Sequence, residues 1–157
     1  MDETPYTTKD IVEKLHIPMQ RLRMWLLNNF FEPTKPSEGQ GKKAFFSKLD
    51  MYAIELFVKL LAKGFKRELA AEYIRSFQEV AQIMHLAPFI LFVTKRTEDG
   101  LLIEPGCYNG MNPLELAIAV DKISVRGFGA DSEACVWEDV IIINFAQLKA
   151  DVDKKLG

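Results

Sequence analysis

Cysteine and histidine are scarce in this chain. Cys107 and Cys135 stand 28 positions apart, and His16 and His85 share no ligand spacing with each other or with either thiol. Two such cysteines make no disulfide framework, which points to a reducing cytoplasm, and no metal is expected. No apolar run approaches the roughly 18 residues a membrane span needs, so no membrane partner is expected. The opening MDETPYTTKD lacks the basic and apolar regions of a secretory signal. No GxGxxG, Walker loop, HExxH or nucleophile elbow occurs. Gly39-Gln40-Gly41 and Gly127-Phe128-Gly129 have no strand before and helix after at phosphate-binding spacing. Neither a catalytic residue nor a cofactor is assigned, and a non-enzymatic protein is expected. The acidic residues Asp131, Glu133, Glu138 and Asp139 around Cys135 read as a solvated edge.

Strong net charge is also missing, at -2 overall, but its distribution is uneven. Thr7 to Lys48 holds eight basic residues against four acidic, whereas His85 to the end holds seven against eleven. The positive excess falls on the segment with the clearest helical pattern. In TTKDIVEKL, Thr7 or Thr8 caps a helix with Ile11, Val12 and Leu15 on one face. HIP is a tight turn, with Pro18 at the start of a second helix, PMQRLRMWLLNN, whose Leu22, Trp25 and Leu26 point inward. Gln20, Arg21 and Arg23 are left on its other sides. Two short helices, the second opening on polar and basic side chains, outline a helix-turn-helix.

In FFEPTKPSEGQGKKAFF, a polar loop separates two aromatic pairs. Phe30-Phe31 and Phe45-Phe46 are expected to pair as the strands of a wing with Lys42 and Lys43 at its edge. Ser47 caps the next helix with Asp50 completing a capping box, Leu49, Ile54, Phe57, Leu60 and Leu61 form its stripe, and Gly64 ends it. A fourth helix runs from Lys66 to Met84, with Leu69, Tyr73, Phe77, Val80 and Met84 on one face.

Pro88 marks a change of character. FILFVTK and LLIEPG read as strands joined by the turn TEDG. LELAIAV is a short helix or a buried strand, since its period fits both. Ser124 to Glu133 reads as loop, CVWEDVIIINF as the most strand-like segment, and FAQLKADVDKKL as an amphipathic helix through Leu148, Val152 and Leu156. The expectation is a multidomain chain. Residues 1–86 would be a mainly α winged helix-turn-helix domain, and residues 87–157 a small α+β module for dimerisation, effector or partner binding.

The segment YTTKDIVEKLHIPMQRLRMWLLNNFFEPTKPSEGQGKKAFFSKLDMYAIELFVKLLAKGF resembles the DNA-binding domain of the MerR family of bacterial transcription regulators. LRMW with NFFEP falls where that family has a basic residue, an aromatic pair and a Gly-Leu-Leu-x-Pro turn. GKKAFFSKLD stands at the wing-to-helix position, and LLAKGF at the turn before the next helix. Met24 replaces one aromatic, and Asn29 replaces the glycine, a mild change because asparagine tolerates a left-handed backbone. Ala44 stands at the usual wing arginine, one position after Lys43. The resemblance implies homodimers that bind promoter DNA.

Arg23, favoured by the resemblance, and Arg21 are then candidates for a base edge or a phosphate. Gln20 could pair with an adenine edge, and Thr8 could hold a phosphate. Lys42 and Lys43, with Lys35 a minor addition, would lie along the backbone or minor groove. Trp25, Tyr6, Phe45 and Phe46 read as core. The expected function is a sequence-specific, homodimeric regulator of double-stranded DNA carrying an inverted repeat, with a small-molecule or protein effector open. The alternative is an interaction adaptor on a winged-helix scaffold. The run Val140 to Ile143 and the last helix are expected to supply the dimer contact, with self-coverage within the module or the fourth helix as rivals.

Overall fold

The computed structural model describes residues 5–37, 39, 43–84, 86–108 and 139–157. The elements run β1 (Tyr6–Thr7), α1 (Thr8–Leu15), α2 (Met19–Leu27), β2 (Phe45–Phe46), α3 (Lys48–Ala62), α4 (Arg67–Met84), β3 (Phe89–Thr97), β4 (Gly100–Tyr108), β5 (Asp139–Asn144) and α5 (Phe145–Leu156). The chain is thus a helical N-terminal region followed by a small α+β module. Two compact units divide it: residues 1–82 together with 147–157, and residues 83–146.

Local chemistry sets the helix ends of the first unit. Thr7 caps α1 in a reciprocal box with Asp10: the Asp10 amide donates to the Thr7 hydroxyl, and the Thr7 amide donates to the Asp10 carboxylate. Ser47 and Asp50 repeat this arrangement at α3. Helices α2 and α3 share one kind of ending. Asn29 and Gly64 adopt left-handed backbones, with φ of 53° and 91°. Asn29 N–H donates to Leu26 O and Phe30 N–H to Trp25 O; Gly64 and Phe65 bond to Leu61 and Leu60 in the same way. This Schellman pattern satisfies carbonyls the helix leaves open.

The core of this unit is aromatic. Trp25, only 2% exposed, meets Phe57 edge-on at 5.0 Å and Phe31 at 6.3 Å between ring centroids. Such pairs add about 0.5–1.5 kcal/mol beyond area burial. Helix α3 is buried almost all round from Asp50 to Phe57, more completely than the apolar stripe read from its spacing, so it is the central rod of the unit.

The expected pairing of Phe30-Phe31 with Phe45-Phe46 does not form. Phe45-Phe46 pairs instead, antiparallel, with Tyr6-Thr7. Phe31 packs in the Trp25–Phe57 cluster, directly after the left-handed turn at Asn29. Among the described residues of the loop between the aromatic pairs, the Lys35 and Phe45 amides donate to each other's carbonyls at 3.0 and 2.9 Å.

Helix α5 from Gln147 onward belongs to the first unit, unlike the division at 86/87 expected from sequence. Leu148 and Val152 are fully buried. Around them Lys155 Nζ donates to both Glu55 carboxylate oxygens at 2.9 and 3.0 Å, Lys59 reaches Asp151 at 3.2 Å, and Lys48 reaches Asp153 at 3.0 Å. Lys14 Nζ donates to the Leu156 carbonyl at 2.7 Å, capping the helix end. The apolar face assigned from sequence to the α+β module, and to a dimer contact, is covered within the chain.

The second unit is built on a three-stranded antiparallel sheet in the order β4-β3-β5. Glu98 and Asp99 form the two-residue turn between Thr97 and Gly100, whose φ of 130° suits glycine. Ile90, Phe92, Thr94 and Ile143 share one face and are buried. The Pro88 carbonyl accepts from the Phe145 and Ala146 amides at 2.8 and 2.9 Å, closing the start of α5. LELAIAV, the expected loop from Ser124 to Glu133, Cys135 and the acidic residues 131–138 lie outside the described residues.

Candidate nucleic-acid interface

Helix α2 carries the candidate residues, and α1 holds it in place. Ile11, Leu15 and Leu22 are buried at their junction, and His16 makes the turn with a left-handed backbone at φ 56°. With Leu22 and Trp25 turned inward, Gln20, Arg21 and Arg23 are all exposed.

The two arginines stand on different sides. Arg23 lines a cavity of about 480 Å³ together with Thr8, Lys9 and Lys43, and Met19 and Leu26 are among its other walls. Met19, Arg23 and Leu26 follow helical spacing along one side of α2. Arg21 lines a second cleft with Trp25 and residues of the α3–α4 turn. Residues two apart on a helix are turned by about 200°, so one face cannot present both.

The first cavity gathers three of the predicted residues, from α1, α2 and the loop before β2. Arg23 and Lys43 are exposed and Thr8 is half-buried in the first turn of α1. First-turn amides and the helix dipole favour an anion there. Lys9, which sequence reasoning missed, adds a cation to this wall while also meeting Glu13 at 3.5 Å. Its signal was its place beside the capping threonines. Gln20 and Lys35 are exposed but do not line the cavity, and Lys42 lies outside the described residues.

Beneath the loop, Asp50 is the fixing point. It is 8% exposed, and its Oδ2 accepts from the Thr34 amide at 3.0 Å, the Thr34 hydroxyl at 2.6 Å and the Ser47 amide at 2.8 Å. Gln78 Nε2 donates to the Glu32 carbonyl at 3.0 Å and approaches Asp50 Oδ1 at 3.4 Å. One carboxylate therefore ties the loop to α3 and α4.

Several ionisable groups respond to these contacts. The Thr7 hydroxyl and amide hold the Asp10 carboxyl below the usual range. Gln147 and then Lys59 do the same for Asp151. The Asp153 carboxylate raises Lys48. Burial, and then the bond to Asp153, push the Tyr52 phenol up to about 12.

Two helices joined by a tight turn, with a basic groove along the exposed side of the second, define a helix-turn-helix protein. Residues 6–76 match the family described as MerR HTH family regulatory protein. No curated protein matches the chain. The N-terminal segment is thus similar to a MerR-type helix-turn-helix region. Among the described residues, no helix is long and apolar enough to cross a membrane.

Proposed function

We propose that this chain is a sequence-specific regulator of transcription that binds double-stranded DNA through a winged helix-turn-helix. The observation that carries this reading is the single groove shared by Thr8, Arg23 and Lys43. Arg23 projects from the helix that would enter the major groove, where a planar guanidinium reads O6 and N7 of guanine. Met19 and Leu26 beside it are suited to thymine methyls. Thr8 and the first amides of α1 take a phosphate, and Lys43 and Lys35 on the loop serve as the wing, making backbone contacts that set register and affinity but carry no sequence information. Gln20 and Lys42 extend this surface.

One such domain touches too few base pairs for high specificity, so two copies on an inverted repeat are the physical expectation. With Leu148 and Val152 covered, the sheet of the second unit is the better dimer contact. Ile142 and Leu102 expose apolar surface there, at 42% and 43%. The second unit would also receive a small-molecule or protein effector.

Selection of bound fragments from random duplex DNA tests this reading. It should return an inverted repeat, whose two half-sites are bound by a dimer in sedimentation. Recovery of fragments without a shared sequence would leave an adaptor on the same scaffold as the better account.

A further inference from the structure

Between the groove of Arg23 and the cleft of Arg21, the outermost side of α2 is apolar. Met24 and Leu27, one turn apart, are 43% and 83% exposed. Neither lines the groove or the cleft. Gln20, one turn before Met24, is exposed as well. At about 100° per residue, Gln20, Met24 and Leu27 fall within about 60° of arc, opposite the buried Leu22. The end of this line is fixed. The backbone and side-chain amides of Asn28 both donate to the Met24 carbonyl, at 3.1 and 2.7 Å, and the left-handed Asn29 closes the last turn.

A cation borders the line on each side. Arg23 lies about 40° beyond Leu27 and Arg21 about 60° beyond Met24, and α2 holds no acidic residue. Leu27 at this exposure adds little to the core, and contiguous apolar surface with a polar rim marks an interaction site. The rim identifies the partner. In the major groove of duplex DNA, base edges lie between two phosphate walls, and the groove, about 12 Å wide, admits one α-helix. The outermost line of such a helix meets base edges, and its flanks meet phosphates on either side. The apolar group offered there is the C5 methyl of thymine.

We infer, on the basis of the DNA reading proposed above, that Leu27 and Met24 are specificity-determining residues that select thymine by burying its methyl group. Gln20, on the same line, bonds an adenine edge. Arg23 reads its guanine on the Leu27 side, and Arg21 takes a phosphate on the Met24 side. The half-site is therefore a guanine adjoined by A·T pairs.

Thymine and uracil differ only in this methyl. The test replaces each thymine of the selected duplex in turn by deoxyuridine and measures the affinity of the full chain. Wild type should lose affinity about fourfold at one or more positions in each half-site, the worth of one buried methyl. Leu27→Ala or Met24→Ala should bind the thymine duplex more weakly and show no further loss at the position that residue reads. Both changes keep a good helix former at an exposed site, so the melting temperature should hardly move. Wild-type indifference to every replacement overturns the inference. Full discrimination kept by both variants also overturns it, and assigns the methyl contact to Met19 or Leu26. In either case a preference for the selected over a scrambled duplex that depends on Arg23 leaves the DNA reading standing. A wild type that prefers no duplex removes the DNA reading and the inference together.

Discussion

The Tyr52 hydroxyl donates to Asp153 across 2.8 Å, joining residues 101 apart in the chain. This bond is one of a set that fixes the last helix against α3, the central rod of the first unit. The consequence is that C-terminal residues hold a helix-turn-helix together. Leu148 is fully buried, and Leu148→Ala should cost about 2–5 kcal/mol, from lost transfer energy and the cavity left behind. Thermal unfolding of the unit containing α1 and α2, followed through Trp25 fluorescence in a Trp137→Phe background, should show that loss. An unchanged melting temperature would separate α5 from this unit.

Lys155→Ala removes the partner of Glu55, a carboxylate 6% exposed. Removing one partner of a buried pair costs about 3–5 kcal/mol, and the lower end applies because the Lys155 side chain is one-third exposed. Glu55→Gln in the same background should recover part of the loss in chemical denaturation, because it removes the unpaired charge. Failure of the second substitution to recover stability would mean that lost packing, not charge, is the cause.

Alkaline pH should loosen this contact. The folded pKa of Lys48 lies above its ordinary value, and that of Tyr52 is raised from 10.0 to about 12. Both groups hold a proton more tightly when folded, so their contribution is complete below pH 10 and is lost as pH rises through the folded values. Tyr52→Phe should lower stability below pH 10 and flatten the decline between 10 and 12. On the acid side Asp10 and Asp151 have lowered values, so their contribution is present above about 4 and lost as pH falls. A wild-type alkaline limb that Tyr52→Phe leaves unchanged would contradict the assignment.

Much of the first unit was legible because its determinants are local. A capping threonine at position 7 or 8 and Ser47 with Asp50 announce two helix starts, and Gly64 announces one helix end. Glu98-Asp99-Gly100 marks a hairpin in the same way. The pairing of Phe45-Phe46 with Tyr6-Thr7 was not legible, because a two-residue strand carries no period and the partner lies far back in the chain. The place of α5 was also hidden. Its amphipathic face showed that it must be covered, but not by what, and ion pairs such as Lys155 with Glu55 leave no spacing to read. The separation of Arg21 from Arg23 was present in the helical geometry, yet only the surrounding loops show that each arginine has its own cleft.

Asp50 should govern the loop that carries Lys35 and Lys43. Asp50→Asn keeps the shape but loses the charge-assisted bonds to Thr34 and Ser47, worth about 1.5–3 kcal/mol. Amide exchange should quicken at Thr34 and Ser47, with a drop in melting temperature. Unchanged protection at Thr34 would show that the loop is held elsewhere.

Lys43 should contribute electrostatic affinity without sequence preference. Lys43→Ala should reduce the slope of log affinity against log salt by about 0.9, the value for one duplex phosphate contact. The ratio of affinities for the selected and a scrambled duplex should stay constant. A change in that ratio with an unaltered slope would make Lys43 a base contact.

Arg23, in the groove with Thr8 and Lys43, should read DNA sequence. The most direct test is the affinity of the wild type and Arg23→Ala for the selected inverted repeat and for a scrambled duplex, each at two salt concentrations. Arg23 is exposed, so its loss should leave the melting temperature nearly unchanged. Affinity for the selected duplex should fall by about 1–3 kcal/mol per half-site, and most of the preference over the scrambled duplex should disappear. If Arg23→Ala keeps the full preference with its fold intact, or if the wild type shows neither preference nor salt dependence, the groove is not a DNA-reading site.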